Sequence, residues 1–304
     1  MEIIFLGTGA GIPGKERNVS AIALKGVNGK NDTWLIDCGE GTQHQMLHAP
    51  VKANQISRIF ITHLHGDHIF GLPGFLGSRS FQGATSTLFI YGPEGLKGYI
   101  EQALTISGTH LNYEVKIEEI KAGQLFQSER WQVSCCELDH RLTSYGYRFA
   151  EADRPGKLDV TKLERDGIPK GPWLADMKKG HEVTLPDGRV IAGSEYVTSP
   201  LPGRIIAILG DTRPTEQTVK FVQHADLLVH EATFMDQEEE AAKKYGHSTT
   251  LEASGVAKRA GVKRLILTHI SSRYRQQDME KFKEEARRQF PNTEVAADFA
   301  VYHV

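Results

Sequence analysis

The chain has 304 residues, of which 39% are hydrophobic and 24% charged, with a formal net charge of -2 at pH 7 and a pI of about 6.7. These values are typical of a folded globular protein and exclude a disordered, collagen-like or coiled-coil chain. The near-neutral charge argues against binding nucleic acid through overall charge, although it leaves room for a local basic patch.

Apolar runs and cysteine usage indicate the cellular compartment of the protein. The sequence has no apolar run long enough to cross a bilayer, and its start, MEIIFLGTGAG, enters a strand-like pattern with no targeting signal. Its three cysteines, Cys38, Cys135 and Cys136, are an odd number and two are adjacent, which does not suit a disulfide framework. We therefore expect a cytoplasmic protein that makes no contact with a membrane.

Short apolar runs alternate along the chain with helix-like patterns. The runs that are typical of buried strands are IIFL, TWLID, RIFIT, TLFIY, WQVSCCEL, RIIAIL, DLLVH and RLILT. Helices are predicted at about residues 94–107, 249–260 and 278–289. Thr249 and Glu252 fit a capping box, and Gly261 follows the end of the same helix. The alternation predicts an α/β or α+β fold with mixed sheets.

The stretch ITHLHGDH, residues 61–68, places three histidines and an aspartate directly behind a strand-like run. In an extended segment residues i and i+2 point the same way, so His63 and His65 can bind one ion. The turn that follows directs Asp67 and His68 towards a second ion. Imidazole and carboxylate donors favour a borderline or hard divalent ion such as zinc or manganese. A polar loop that is rich in histidine by chance is the competing interpretation, and the density of the cluster disfavours it.

Three further side chains of metal-binding type follow apolar runs, namely His140, Asp211 and His269. Asp211 comes after Gly210, where the backbone can approach closely, and its two oxygens could bridge two ions. Each residue taken alone is more often a turn or capping residue. Together with a weak internal repeat, RIFITHLHGDH and RLILTHISSRY, they predict that strands from two halves of the fold end in metal ligands. Taken alone, the repeat is better explained by chance in a chain that is rich in strands.

The order HxHxDH, His140, Asp211, His269 resembles the metallo-β-lactamase superfamily over most of the chain. The resemblance implies an αβ/βα sandwich of two mixed β-sheets flanked by helices. It also implies two zinc ions per subunit, with manganese or another divalent metal as the alternative. Because that fold supports many hydrolytic reactions, these residues specify the fold and the metal but not the substrate.

Four further segments resemble the ribonuclease Z family, whose members remove the 3′ trailer from precursor tRNA. They are PGKERN at residues 13–18, HEAT at 230–233, HST at 247–249 and AADF at 296–299. The resemblance implies a zinc-dependent endoribonuclease of the short type that leaves a 3′-hydroxyl on the tRNA and a 5′-phosphate on the trailer. It further implies a homodimer in which an arm of one subunit serves the site of the other.

Three residues are candidates for proton transfer in such a reaction. Asp67, as a ligand and a hydrogen-bond partner of the attacking water, would accept a proton. His247, oriented and held protonated by Glu231, would donate a proton to the leaving 3′ oxygen. The competing interpretation of Glu231 is a structural ion pair, and that of His247 is a neighbour of a helix cap.

Substrate contacts are expected from the same resemblance and from the chemistry of phosphate recognition, in which arginine, hydroxyl and amide groups donate. The candidates are Lys15, Arg17, Asn18, Ser272, Arg273 and Asp298. A solvated surface loop is the competing interpretation of the segment that contains the first three.

Residues 151–202 differ in composition from the rest of the chain, because they contain many prolines and glycines and show little apolar periodicity. They predict an insertion into a catalytic domain formed by residues 1–150 and 203–304. The ribonuclease Z resemblance implies that this insertion is a flexible, protruding arm that grips tRNA, with Gly171-Pro172 as its Gly-Pro element. Because residues 151–190 hold eight basic and eight acidic residues, any grip must come from their placement. A solvated lid or linker is the alternative.

Two other functions remain open from the sequence. One is a hydrolase of the same fold that acts on small phosphodiesters or esters. The other is a tRNA-binding module that keeps its metal without turnover, and the presence of every metal-binding and proton-transfer residue disfavours it.

Overall fold

The structure is a computed structural model that describes residues 1–154 and 156–304, so Pro155 of the predicted insertion lies outside the described residues. The chain divides into two compact units. One is formed by Met1–Phe149 together with Ile205–Val304, and the other by Ala150–Arg204. Among the described residues no helix is long and apolar enough to cross a membrane.

The strands and helices follow one another in a mixed order. The strands are β1 (Glu2–Gly7), β2 (Gly9–Ala10), β3 (Ala21–Lys25), β4 (Thr33–Ile36), β5 (Ile56–Phe60), β6 (Leu88–Gly92), β7 (Val115–Glu119), β8 (Gly123–Gln127), β9 (Trp131–Leu138), β10 (Ser144–Glu151), β11 (Glu182–Thr184), β12 (Val190–Ala192), β13 (Ile205–Leu209), β14 (Leu227–Glu231), β15 (Leu265–Thr268), β16 (Ile270–Ser271), β17 (Thr293–Val295) and β18 (Val301–His303). The helices are α1 (Thr42–Gln45), α2 (Gly66–Ile69), α3 (Leu72–Phe81), α4 (Leu96–Ser107), α5 (Val160–Arg165), α6 (Leu174–Met177), α7 (Glu216–Phe221), α8 (Glu239–Tyr245), α9 (Thr250–Ala260) and α10 (Met279–Gln289).

Two large mixed sheets form the first unit. Their strand orders are β18-β1-β3-β4-β5-β6-β7 and β17-β15-β14-β13-β10-β9-β8. Within them β4 to β7 are parallel, and so are β13, β14, β15 and β17. Parallel strands present their carboxyl ends at one edge of a sheet, which is where open α/β sheets bind ligands. Each sheet therefore carries one edge suited to a functional site.

Successive side chains of a strand point to opposite faces of the sheet and so enter different hydrophobic cores. On β5, Phe60 packs in an aromatic core that also contains Trp34, Trp131 and Phe149 and draws on strands of both sheets. Its neighbour Ile59 points the other way, into a second core shared with α3 and α4. A third core joins α9 and α10 to strands of the second sheet. The order helix, sheet, sheet, helix confirms the predicted αβ/βα sandwich.

The second unit has a small core of its own. Leu163 of α5, Met177 of α6 and Tyr196 are buried in it. The hairpin of β11 and β12 completes the unit, in antiparallel register. The predicted insertion, residues 151–202, lies inside this unit. Its role as a tRNA-binding arm stays a prediction.

The predicted secondary structure agrees with the structure where the local pattern was strong. All eight apolar runs are strands, and α4, α9 and α10 occupy the three predicted helical ranges. Thr249 caps α9 in a capping box with Glu252, and Gly261 ends it at a φ of 61°. Sequence reasoning missed the other strands of the described residues, among them β3 and β10, and in β10 the apolar run is interrupted by Gly146 and Arg148.

Candidate metal centre and active site

The seven predicted metal ligands converge at the carboxyl edges of the two sheets. His63 and His65 follow β5, Asp211 follows β13, and His269 follows β15. The ligand atoms form three overlapping groups, each within 4.8 Å. These groups are His63, His65, His140 and Asp211; Asp67, His68 and His269; and Asp211, His247 and His269.

The first group is built around ring nitrogens that face one another. His63 Nε2 lies 2.9 Å from His65 Nδ1, and His140 Nε2 lies 3.4 Å from the same atom. Asp211 Oδ2 lies 3.5 Å from His63 Nε2 and 4.0 Å from His140 Nε2. Three nitrogens and one oxygen therefore surround one point, as a tetrahedral divalent ion requires.

The second group, Asp67, His68 and His269, lies beside the same aspartate, Asp211. His269 Nε2 lies 3.3 Å from both Asp67 Oδ2 and His68 Nε2. The other oxygen of Asp211, Oδ1, lies 3.4 Å from His269 Nε2 and 3.6 Å from His68 Nε2. Asp211 thus turns one oxygen to each group, which is the arrangement that a bridging carboxylate needs.

Gly210 allows Asp211 to reach this position. A Cβ on Gly210 would lie 2.6 Å from Cβ of Thr62, so only glycine permits the two strand ends to approach so closely.

Hydrogen bonds fix the ring orientation of the first sheet's buried ligands. Asp37 accepts from Nδ1 of His68 at 2.7 Å and from the hydroxyl of Thr62 at 2.9 Å. Since that hydroxyl donates to Asp37, it accepts from Nδ1 of His63 at 3.0 Å. Both imidazoles therefore carry a proton on Nδ1 and direct Nε2 into the centre.

In the second sheet a threonine hydroxyl again links a carboxylate to a histidine of the cluster. The Thr233 hydroxyl donates to Glu231 Oε2 at 2.9 Å and so accepts from Nδ1 of His269 at 3.0 Å. Nδ1 of His140 donates to the carbonyl oxygen of Gly246 at 2.7 Å. In metal sites such outer partners hold the ligand ring and select its tautomer.

The protonation of the rings suits a divalent cation. Burial lowers the pKa of His63, His65 and His140, and neighbouring imidazoles lower it further, so these rings are neutral. Burial also disfavours a charge on His68, but Asp37 and Asp211 outweigh it and raise the pKa of that ring, so an ion that binds there has to displace the proton on Nε2. Three neutral imidazoles and the carboxylate of Asp211, gathered around one point, are the kind of donors that a divalent cation takes in proteins. The cluster is therefore a divalent-metal site.

Asp67 lies at the mouth of the second group. Its Oδ2 accepts from the backbone N–H of Gly11 at 2.7 Å and lies beside His269. Burial would raise the pKa of Asp67, but the hydrogen bond with His269 and the charges of His68 and His269 hold it well below its usual range. The carboxylate is ionised at neutral pH and accepts hydrogen bonds only.

Glu231 and His247 form a buried pair next to the metal ligands. His247 Nδ1 lies 3.0 Å from Glu231 Oε1, which also accepts from the backbone N–H groups of Thr212 and Ser248, each at 3.1 Å. Burial opposes both charges, yet the pairing lowers the pKa of Glu231 and raises that of His247. His247 is therefore a cation aimed into the cleft, as a proton donor must be.

The predicted substrate contacts divide into two classes. Arg17 is engaged within the chain, since it donates to the Thr8 hydroxyl and to the carbonyl oxygen of Ala296, each at 2.6 Å. Asp298 accepts from the Thr8 hydroxyl at 2.7 Å and from the backbone N–H of Asn18 at 2.6 Å. These bonds favour a role for Arg17, Asn18 and Asp298 in holding the loop in place.

The remaining candidates are exposed. Lys15 and Ser272 line a pocket of about 340 Å³, and Arg275, which sequence reasoning did not single out, lines it too. Arg273 pairs with Glu238 at 3.1 Å, and its guanidinium lies 5.0 Å from the ring centre of Phe234.

A cleft of about 620 Å³ opens over the metal centre and is lined by Asp67, Asp211, His247 and His269. The pocket with Lys15 and Ser272 shares Ala10 and Ile12 with it, so the two adjoin. The cleft also contains residues that sequence reasoning missed, namely Phe70, Arg141 and Tyr245.

Sequence reasoning also missed Asp37 and Thr233, the outer partners of two ligands. A local signal exists for Asp37, since it follows β4 and precedes a glycine-rich turn. Its backbone is left-handed, with φ of 59°, as is that of His269, with φ of 55°. Such backbone is uncommon for residues other than glycine and clusters at functional sites.

The comparisons with known proteins cover the whole chain. A relative named Ribonuclease Z, from Anoxybacillus flavithermus, is 53% identical over 304 residues, which is 100% of this chain and 97% of that protein. The structure of human tRNase Z, short form (ELAC1), matches with a TM-score of 0.74 and 32% identity, covering 100% of this chain and 99% of that one. The metallo-beta-lactamase fold protein YhfI from Bacillus subtilis matches with a TM-score of 0.68 and 20% identity, covering 99% of this chain and 98% of that one, and shows the fold alone.

A family model described as Anti-Pycsar protein Apyc1 matches residues 1–154, so over its first half the chain belongs to that family as well. That match ends before Asp211, Glu231, His247 and His269. The matches to the full-length relatives extend over this part of the chain. By this match over its entire length, the chain belongs to the ribonuclease Z family.

Proposed function

We propose that this chain is a zinc-dependent endoribonuclease that cuts the 3′ trailer from precursor tRNA at a dinuclear centre. The products are a tRNA with a 3′-hydroxyl and a trailer with a 5′-phosphate. Full-length similarity to ribonuclease Z supports the tRNA 3′-processing activity. The observation that carries the dinuclear centre is Asp211, whose two oxygens face two separate groups of imidazole nitrogens.

The donor set assigns each ion its ligands. His63, His65 and His140 would hold one ion, and Asp67, His68 and His269 the other, with Asp211 between them. Nitrogen and oxygen donors suit zinc, and manganese is the alternative. When bound, two such ions lower the pKa of water towards neutrality and neutralise charge that develops on a phosphodiester.

The chain's own residues move the protons. Asp67, ionised and fixed by Gly11, orients the attacking water and accepts its proton. On the other side of the phosphate the 3′ oxygen of the tRNA leaves as an alkoxide and needs a proton. His247, charged through Glu231, supplies that proton, and Glu231 stabilises the cation without leaving its own hydrogen bonds.

Substrate phosphates are bound by exposed donors beside the cleft. Lys15, Ser272 and Arg273 are placed for this contact, since none of them is buried. Arg17, Asn18 and Asp298 act by fixing the loop from which Lys15 projects. Their effect on the substrate is therefore indirect.

We also propose that the enzyme is a homodimer in which the unit Ala150–Arg204 grips tRNA bound at the partner's site. The likeness to the structure of human tRNase Z, short form, spans the full chain and so includes this unit. Three free, buried cysteines support a reducing compartment, the cytoplasm.

The decisive experiment is cleavage of a 3′-extended tRNA precursor by the zinc-loaded protein and by Asp67→Ala, with the cut and the end groups mapped. The proposal expects a single cut at the end of the mature tRNA, a 3′-hydroxyl, and loss of cleavage in the variant. If the protein leaves the precursor intact but hydrolyses a small phosphodiester or ester, the alternative hydrolase function is correct instead.

A further inference from the structure

Two exposed aromatic side chains line the cleft over the metal centre, and the reaction chemistry uses neither. Phe70, which follows α2, has an exposed fraction of 62%, and Tyr245, the last residue of α8, has one of 41%. They belong to separate segments that carry different catalytic residues. An exposed ring at the mouth of a nuclease site is a ready surface for a nucleobase, because every base has a face that stacks.

The Phe70 ring is seated by the metal-binding motif itself. A Cβ on Gly66 would lie 2.2 Å from Cε2 of Phe70, so the ring lies directly against the backbone of that glycine. Gly66 stands between the ligands His65 and Asp67. The glycine of HxHGDH therefore seats an aromatic ring against the metal-binding segment while most of the side chain stays exposed.

The Tyr245 ring is held in place by a different contact, with Arg141. The guanidinium of Arg141 lies 5.2 Å from the ring centre of Tyr245, and it donates to the carbonyl oxygen of Lys244 at 2.6 Å. Arg141 directly follows the ligand His140. The guanidinium lies over the Tyr245 ring while that side chain stays 41% exposed, so the ring can stack on a base and the guanidinium can contact a phosphate.

We propose that these two surfaces bind the two nucleotides that flank the scissile phosphate. The pair of Tyr245 and Arg141 stacks on the last base of the mature tRNA, and Phe70 stacks on the first base of the trailer. The inference rests on the proposed function and adds to it the residues that splay the strand open at the cut.

The assignment of each base follows from the proton transfers. His247 gives its proton to the 3′ oxygen of the last tRNA nucleotide, so that ribose lies next to His247, and Tyr245 is only two residues away. The phosphate stays with the trailer and is attacked from the side of Asp67, and Phe70 is three residues beyond Asp67. Stacking recognises no base edge, so the site accepts any base at either position.

The test combines ring removal with base removal. Single-turnover cleavage is measured for Phe70→Leu and Tyr245→Leu on a precursor tRNA and on two matched precursors, one abasic at the last tRNA position and one abasic at the first trailer position. We expect each variant to lose roughly ten-fold in rate on the intact precursor, the order expected for one stacked base. Tyr245→Leu should lose nothing further on the first abasic precursor, and Phe70→Leu nothing further on the second.

The control is Phe81→Leu, at the end of α3, where the side chain has an exposed fraction of 95% and does not line the cleft. It should cleave all three precursors like the wild type. Unfolding temperature and bound metal are measured for each variant, and Tyr245→Phe, which keeps the ring, should retain the wild-type rate.

The outcomes separate the two proposals. If the wild type fails to cut the intact precursor, the proposed function is wrong and this inference with it. If the wild type cuts but Phe70→Leu and Tyr245→Leu cut equally fast, or if their losses are the same on abasic and intact precursors, the stacking assignment alone is overturned.

Discussion

Asp37 accepts a hydrogen bond of 2.7 Å from Nδ1 of His68, a residue 31 positions further along the chain. Asp37 is not a metal ligand, yet it decides which nitrogen of His68 faces the metal centre. It does the same for His63 through the Thr62 hydroxyl. One carboxylate therefore orients one imidazole in each of the first two ligand groups.

Removal of this carboxylate should weaken metal binding without removing a ligand. For Asp37→Ala we expect affinity for divalent metal to fall roughly 10- to 100-fold, the usual effect of losing an outer partner. Metal titration with a competing chelator measures it. Asp32→Ala is the matched control, because Asp32 bonds Ser57 and Asn28 instead of a ligand. Equal affinity in Asp37→Ala and the control would contradict the orienting role.

Metal removal should abolish cleavage, and stepwise return should reveal the number of ions. We expect a chelated, inactive protein to regain activity as zinc is added, with the plateau at two ions per chain, because the ligands form two groups around Asp211. Elemental analysis alongside the cleavage rate measures this. Full activity at one ion per chain would disprove the dinuclear proposal.

The pH profile should report the pair of His247 and Glu231. The pKa of His247 is raised in the fold, so its proton is present at neutral pH, and the rate falls as the pH rises through that raised pKa. In Glu231→Gln the charge that raises the pKa is gone, so the alkaline fall should move to lower pH.

The measurement is kcat/KM against pH for Glu231→Gln and the wild type. Glu114→Gln, an exposed carboxylate near β7, serves as the control and should keep the wild-type profile. An unchanged alkaline limb in Glu231→Gln would show that His247 is not the group that titrates.

A side chain at Gly210 should destabilise the fold where the two strand ends meet. We expect Gly210→Ala to cost about 1–3 kcal/mol in the free energy of unfolding, because the added Cβ meets Thr62 and the strands must move apart. Urea denaturation measures it. Gly98→Ala in α4 is the control, since nothing lies within 4 Å of its Cβ position, and it should be neutral or slightly stabilising.

The unit Ala150–Arg204 should be needed for tRNA cleavage but not for hydrolysis of the phosphodiester bond itself. Replacing residues 152–203 by a short Gly-Ser linker keeps the pair of Glu151 and Arg204, whose side chains meet at 2.7 Å. We expect tRNA cleavage to fall on the order of 100-fold, as when one of two linked contacts is lost. Hydrolysis of a small phosphodiester should continue. Parallel loss of both activities would contradict a tRNA-specific role.

The sequence by itself determined which side chains meet at the metal centre. Five of the seven lie shortly after an apolar strand, while Asp67 and His68 lie in α2, within the motif that follows β5. Strand ends can be predicted locally because burial imposes a period and a length on the residues before them. The cap of α9 could also be predicted from local sequence, because Thr249 and Glu252 contact each other within one turn. The weak repeat also marked His63 and His269 as equivalent strand exits.

Only the tertiary structure decided how these side chains are held and what surrounds them. His140 is fixed by the carbonyl oxygen of Gly246, 106 residues away, and Arg17 is satisfied by Ala296, 279 residues away. No local pattern encodes such pairs. They exist because two sheets pack face to face and bring their strand ends together, and that packing also set Phe70 and Tyr245 at the same cleft.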